Sequence, residues 1–105
     1  MTLVYHPAAR AEAKEAYLFL AREDESLALD FEKRLTTALT YILKNPTANR
    51  VRRFSVRRKN LTRFNRYYVA YMIWQDEVVV IAIAHSSRRP YYWFRRPKDY
   101  RDSRK

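Results

Sequence analysis

The residues best equipped for chemistry in this 105-residue chain lie near its end, in the run His85-Ser86-Ser87-Arg88-Arg89-Pro90. A histidine followed by two permanent cations suits an acid/base and phosphate site; it equally suits a structural histidine closing a strand. A second candidate is Arg50 to Arg66, which holds eight basic residues in 17 positions and no acid, with Phe54, Val56, Leu61 and Phe64 between them. Strand alternation there would turn apolar groups inward and a row of guanidinium groups outward. The same pattern also serves a solvated edge strand that charge protects from aggregation. The third is aromatic: Tyr67, Tyr68, Tyr71 and Trp74, with Tyr91, Tyr92, Trp93 and Phe94. Aromatics beside arginines can stack on exposed bases, but Tyr71 and Trp93 are expected in the core. Tyr67 or Tyr68 is the better surface candidate, since neighbours on a strand face opposite sides.

Other chemistries are excluded by composition. There is no cysteine, hence no disulfide, thiolate metal site or cysteine nucleophile, and a reducing cytoplasm fits. The two histidines, His6 and His85, have no carboxylates at ligand spacing, so no metal is expected. Without glycine there is no glycine-rich phosphate loop, and no cofactor is expected. The longest apolar runs, such as Val78 to Ala84, fall well short of the roughly 20 residues of a membrane helix, and no signal-peptide core is visible. A cytoplasmic protein with no membrane partner is expected. Its formal charge is +11 and lies almost wholly in the second half: residues 1–49 carry 6 Lys/Arg against 7 Asp/Glu, residues 50–105 carry 16 against 4. Such asymmetry points to an acidic partner.

The elements that must position these residues follow from periodicity. Thr2 to His6 is β-prone, and Pro7 suits the first turn of a helix. Ala9, Ala13, Ala16, Tyr17 and Leu20 then recur at helical spacing over 8–22, with Glu12 and Glu15 placed early, where the helix dipole favours acids. Asp24 or Ser26 caps a second helix, whose stripe runs Ala28, Phe31, Leu35, Ala38, Leu39 and Ile42 and ends at Asn45-Pro46. The pair predicts an antiparallel helical hairpin. Beyond Pro46 the period becomes 2, predicting strands around Val51 to Arg58, Arg63 to Trp74 and Glu77 to His85 as an antiparallel meander. Because Val78 to Ala84 barely alternates, the last strand should be buried on both faces, under the helices and under the C-terminal aromatics. Positions needing positive φ are expected at Asn49, Asn60, Asn65 and Asp76. Residues 1–94 are expected to form one domain, and 95–105 a loosely held basic tail.

This order resembles the RelE/ParE superfamily of toxins over roughly residues 3–94. The resemblance is carried by His6-Pro7-Ala8-Ala9 opening the first helix, Lys44-Asn45-Pro46 closing the second, Tyr71 before Asp76-Glu77-Val78-Val79-Val80-Ile81, and the ending His85-Ser86-Ser87-Arg88-Arg89-Pro90-Tyr91-Tyr92-Trp93. It implies an α+β fold (N-terminal strand, two-helix antiparallel hairpin, three-stranded meander in one sheet) and the toxin of a type II toxin–antitoxin system, restrained by a cognate antitoxin protein. One branch cleaves mRNA on the ribosome and the other poisons DNA gyrase. For ribonuclease chemistry Arg88 matches the family's phosphate-contacting arginine. Tyr68 stands where a second arginine is usual, however, and Phe94, which has no proton to donate, stands where a catalytic tyrosine is usual. A ribosome-dependent endoribonuclease would therefore rely on His85, Arg88, Arg66 and Tyr92. The ending looks more like the ParE-type branch, which acts by binding and implies Arg57, Arg58, Lys59, Arg88 and Arg89 as contact residues for gyrase. An RNA- or DNA-binding module without toxicity is a third possibility.

Overall fold

A computed structural model describes residues 1–105. Strand β1 (Thr2–Tyr5) runs into helix α1 (Pro7–Glu23), followed by α2 (Glu25–Lys44), a short 3-10 turn (Arg53–Ser55), β2 (Arg57–Asn60), β3 (Tyr67–Trp74), β4 (Glu77–His85) and α3 (Arg96–Ser103). The strands form one sheet in the order β1-β4-β3-β2, with β1 parallel to β4 and the other pairs antiparallel. The expected α+β architecture is thus present.

Local chemistry accounts for the helix boundaries. The His6 Nδ1 accepts a 3.0 Å hydrogen bond from the Ala8 N–H, and Pro7 occupies the first turn, where an N–H is dispensable. Asp24 closes α1 through its backbone N–H to the Leu20 carbonyl, and its side chain opens α2 by accepting from the Ser26 N–H at 2.9 Å. The hydrogen bonds from Ser26 hold the Asp24 carboxyl below the usual range. Asn45 ends α2 ahead of Pro46, as expected.

Two cores sandwich the sheet. On one face the helices bury Ala9, Ala16, Phe31, Leu35, Ala38 and Ile42 against Val69, Tyr71, Val78, Val80 and Ile83. On the other, Tyr68, Ala70, Met72, Val79, Ile81, Ala82 and Ala84 pack under Val56, Trp93 and Tyr100. Strand β4 is therefore covered on both faces, one by helices and one by C-terminal aromatics.

The register contains a bulge with consequences for the site. Tyr71 pairs with Val80 but Ala70 pairs with Ala82, so Ile81 is an extra residue in β4. One inserted residue reverses the facing of everything after it. Ile81 and Ala82 accordingly both join the second core, whereas Ile83 returns to the helix face. His85, two residues on, lies edge-on to Tyr67 with centroids 4.8 Å apart, on the helix side.

Three expectations are corrected. The segment Val51 to Val56 is not a strand: only Val51 makes an isolated bridge, to Arg57, and the chain turns through Phe54 and Ser55 at φ 61° and 62°. Residues 96–103 are not a loose tail but helix α3, which buries Pro97 and Tyr100; the Tyr100 hydroxyl donates to Glu77 at 3.0 Å. Positive φ occurs at Asp76 as expected, but otherwise at Phe54, Ser55, Arg63, Gln75 and Tyr91 and at none of the three asparagines. Gln75 and Asp76, both left-handed, form the tight hairpin turn that matches the twist of β3 and β4.

Candidate target-binding site

Strand β1 is shorter than β4, so the outer edge of β4 is unpaired beyond Val80. Side chains finish the pairing there. The Glu12 Oε1 accepts the Ile83 N–H at 3.2 Å, and the Arg96 Nη1 donates to the Ile81 carbonyl at 3.1 Å. The two side chains also clasp each other, Nη1 to Oε1 at 2.8 Å and Nη2 to Oε2 at 3.1 Å. Glu12, expected among the first acids of the helix, lies beyond its first turn and acts instead as a clamp between α1, β4 and the C-terminal segment. Burial works against the Arg96 charge, but Glu12's hydrogen bond and charge outweigh it and strengthen its hold on the proton.

Tyr92 completes this network. Its hydroxyl donates to the Glu12 Oε2 at 2.6 Å, and its ring lies between Arg88, with Cζ 4.0 Å from the centroid, and Arg96 at 5.2 Å. Burial, and then the bond to the Glu12 carboxylate, push the Tyr92 phenol far above its ordinary range. A cleft of about 350 Å³ opens beside it, lined by Glu12, Glu15, Arg22, Tyr67, His85 and Arg88 among others.

Of the four residues proposed for RNA cleavage, the fold brings His85, Arg88 and Tyr92 into this cleft and leaves Arg66 out of its lining. The backbone carbonyl of Arg66 accepts the Ser86 N–H at 2.6 Å, so this residue anchors the turn after β4. The His85 Nδ1 accepts the Ser87 N–H at 3.1 Å and lies 2.8 Å from the Ser87 Oγ. That geometry places the neutral ring's proton on Nε2. Tyr92, whose ring lies against Arg88, donates its proton to Glu12. In this arrangement that proton points at Glu12 and not into the cleft's open space.

The contact cations divide differently from the row expected. Arg57 and Lys59 pair with Tyr71 and Val69, on the helix face; Arg58 pairs with Ala70, on the opposite face. Arg57 is committed to the loop after α2, donating to the Thr47 carbonyl at 3.3 Å and also to that of Asn49. Lys59 sits over Tyr41 at 4.5 Å. Arg58 lies over Tyr68 at 3.8 Å and donates to the Asn60 Oδ1 at 2.9 Å. Arg88 and Arg89 are exposed. Tyr68 is buried and accepts from the Trp93 indole at 3.1 Å, so of the two tyrosines only Tyr67 reaches the surface. Tyr71 and Trp93 are core, as expected. No three His, Asp or Glu side chains come together in a way that could hold a metal ion.

A helical hairpin across one face of a four-stranded sheet, with a basic surface at the end of its last strand, is the architecture expected of the RelE/ParE fold. The chain belongs to the family described as ParE toxin of type II toxin–antitoxin system, parDE, which it matches over residues 3–90. Among solved structures it is similar to one titled "Chromosomal ParDE TA system from P. aeruginosa", with a TM-score of 0.68 and 18% sequence identity, covering 81% of this chain and 95% of that one. At that identity the likeness speaks for the fold. No curated protein sequence matches the chain. No helix is long and apolar enough to cross a membrane.

Proposed function

We propose that this type II toxin stops growth by binding DNA gyrase through its basic surface, and that a cognate antitoxin protein is its second partner. The observation that carries the choice of contact over cleavage is the commitment of Tyr92: the candidate proton donor nearest Arg88 is hydrogen-bonded to a carboxylate and held far above neutrality. Tyr68 and Phe94 supply no replacement, the first being buried against Trp93 and the second lacking a hydroxyl. Beside His85, whose Nδ1 is taken up by Ser87, stands a set of permanent cations, Arg58, Lys59 and Arg88 on aromatic supports, an arrangement suited to holding an acidic surface.

Arg58, Arg88 and Arg89 are the principal contact cations in this reading, with Lys59 at the sheet edge and Arg57 serving the loop it anchors. The test is inhibition of gyrase supercoiling by the purified chain. Arg88→Ala together with Arg89→Ala should raise the concentration needed for half-inhibition at least tenfold, with a shallower salt dependence. Undiminished potency in that double variant would remove these residues from the interface. The antitoxin is tested by co-expressing the neighbouring gene product, which should form a stable complex with the chain and restore growth.

A further inference from the structure

A second surface carries backbone strain that the residues lining the cleft beside His85 lack. It is centred on Phe54. Phe54 and Ser55 are consecutive non-glycine residues in the left-handed region, at φ 61° and 62°, and Tyr91, which packs against Phe54, is left-handed too at φ 58°. Such conformations are costly for residues with a Cβ and persist where the surrounding structure over-determines them, often at functional sites. Here they do not bury Phe54. It remains 39% exposed, with Phe94 beside it equally exposed and their centroids 5.8 Å apart. Trp93, 4% exposed, supports Phe54 at 6.4 Å between ring centroids.

Guanidinium groups fan around these rings. The Arg53 Cζ lies 5.1 Å from the Phe54 centroid and 5.3 Å from that of Tyr91, and the Arg95 Cζ lies 5.3 Å from that of Phe94. Arg52, Arg53, Arg95 and Arg101 take part in no ion pair. A concavity of about 520 Å³ adjoins the rings and has Asp99 as its single acid. Tyr91, Phe94 and Arg95 also lie outside the residues that match the family.

We infer that the Phe54–Phe94 surface is a docking site for the toxin's target protein, fitting a patch on it with an apolar centre and an acidic rim. The inference rests on the reading that this toxin acts by contact with a protein. Aromatic and arginine side chains at the centre of a patch are the composition of interface hot spots, and unpaired cations around them favour an acidic counterpart. Single-stranded nucleic acid fits less well. Arg53 and Arg95 already occupy faces of the exposed rings, and the rings meet edge-on or tilted, so they offer no open platform of parallel faces for successive bases. The strained backbone holds Phe54 in place before the partner arrives, which lowers the ordering cost of binding.

The test uses the full chain carrying Phe54→Asn, Phe94→Ser or both. Asparagine tolerates the left-handed backbone, so Phe54→Asn should leave the thermal midpoint within a few degrees of wild type. Each single change should weaken gyrase inhibition by roughly thirty-fold, the size of a hot-spot truncation, and the double variant should no longer arrest growth when induced. A folded double variant that arrests growth like wild type would overturn the inference whatever the target. If wild type leaves gyrase untouched yet growth arrest still requires both phenylalanines, the choice of gyrase fails while the docking surface stands. Wild-type binding to single-stranded RNA or DNA 12-mers that is lost in the double variant would instead assign the surface to nucleic acid and overturn the protein partner.

Discussion

Replacing Glu12 with alanine should unfasten the C-terminal segment from the sheet, and the size of the effect can be worked from the geometry. The carboxylate accepts four hydrogen bonds, from the Ile83 N–H, the Tyr92 hydroxyl and two Arg96 nitrogens. Its side chain is 12% exposed and that of Arg96 18%. Removing one partner of a fully buried ion pair costs about 3–5 kcal/mol, because the other charge is stranded. Arg96 keeps its bond to the Ile81 carbonyl and some access to water, which brings the expected loss to about 2–3 kcal/mol. For a domain of this size that is a fall of roughly 10–15 °C in thermal midpoint. Urea unfolding followed by circular dichroism should show the transition midpoint moving by about 2 M with an unchanged slope. Glu12→Leu combined with Arg96→Met should recover more than half of the loss, since an apolar pair strands no charge. A loss below about 0.5 kcal/mol, or a double variant as unstable as the two single losses added, would refute the clamp.

Three further outcomes follow from the local chemistry. Burial and the nearby Arg96 charge depress the His6 pKa, so the unfolded chain binds the extra proton first: stability is greatest above about pH 6.5 and falls with acidification through the folded pKa. Protonation also removes the Nδ1 lone pair that caps α1, a contact worth about 1 kcal/mol; His6→Asn, which caps without titrating, should flatten the melting profile between pH 7.5 and 5. Replacing Gln75-Asp76 by Asn-Gly should raise stability by about 0.5–1 kcal/mol in chemical denaturation, because both positions are left-handed in a two-residue hairpin. Tyr92→Phe deletes only the hydroxyl and keeps the ring between Arg88 and Arg96, so gyrase inhibition should stay within about threefold of wild type, whereas Tyr92→Ala should weaken it further by freeing Arg88.

The layers of the fold were legible because their signals are long and periodic: a 3.6 repeat in each helix, a change to period 2 after Pro46, and an apolar run for the one strand covered twice. What escaped was decided by contacts between distant residues. The bulge at Ile81 leaves no trace in a run where both parities are apolar, yet it sets which face His85 reaches. Alternation around Val51, Phe54 and Val56 suggested a strand, but Phe54 is turned by packing on Tyr91, Trp93 and Phe94, roughly forty residues away. For the same reason positive φ fell on Phe54 and Tyr91 rather than on asparagines. Helix α3 rests on Pro97 and Tyr100 alone among its buried residues, too sparse a stripe to stand out in a basic tail. At the candidate site, the sequence offered cations and aromatics as types. Their division between two faces of the sheet, and the diversion of the Arg57 and Tyr92 side chains into structural bonds, depend on register and on Glu12, whose sequence position suggested only a helix acid.

The most direct test of contact rather than cleavage is a single preparation of the chain assayed two ways, for gyrase supercoiling and for mRNA cuts by primer extension in a reconstituted translation system. Supercoiling should fall in proportion to added protein while the messages remain intact. Codon-phased cuts appearing with no loss of supercoiling would contradict the account.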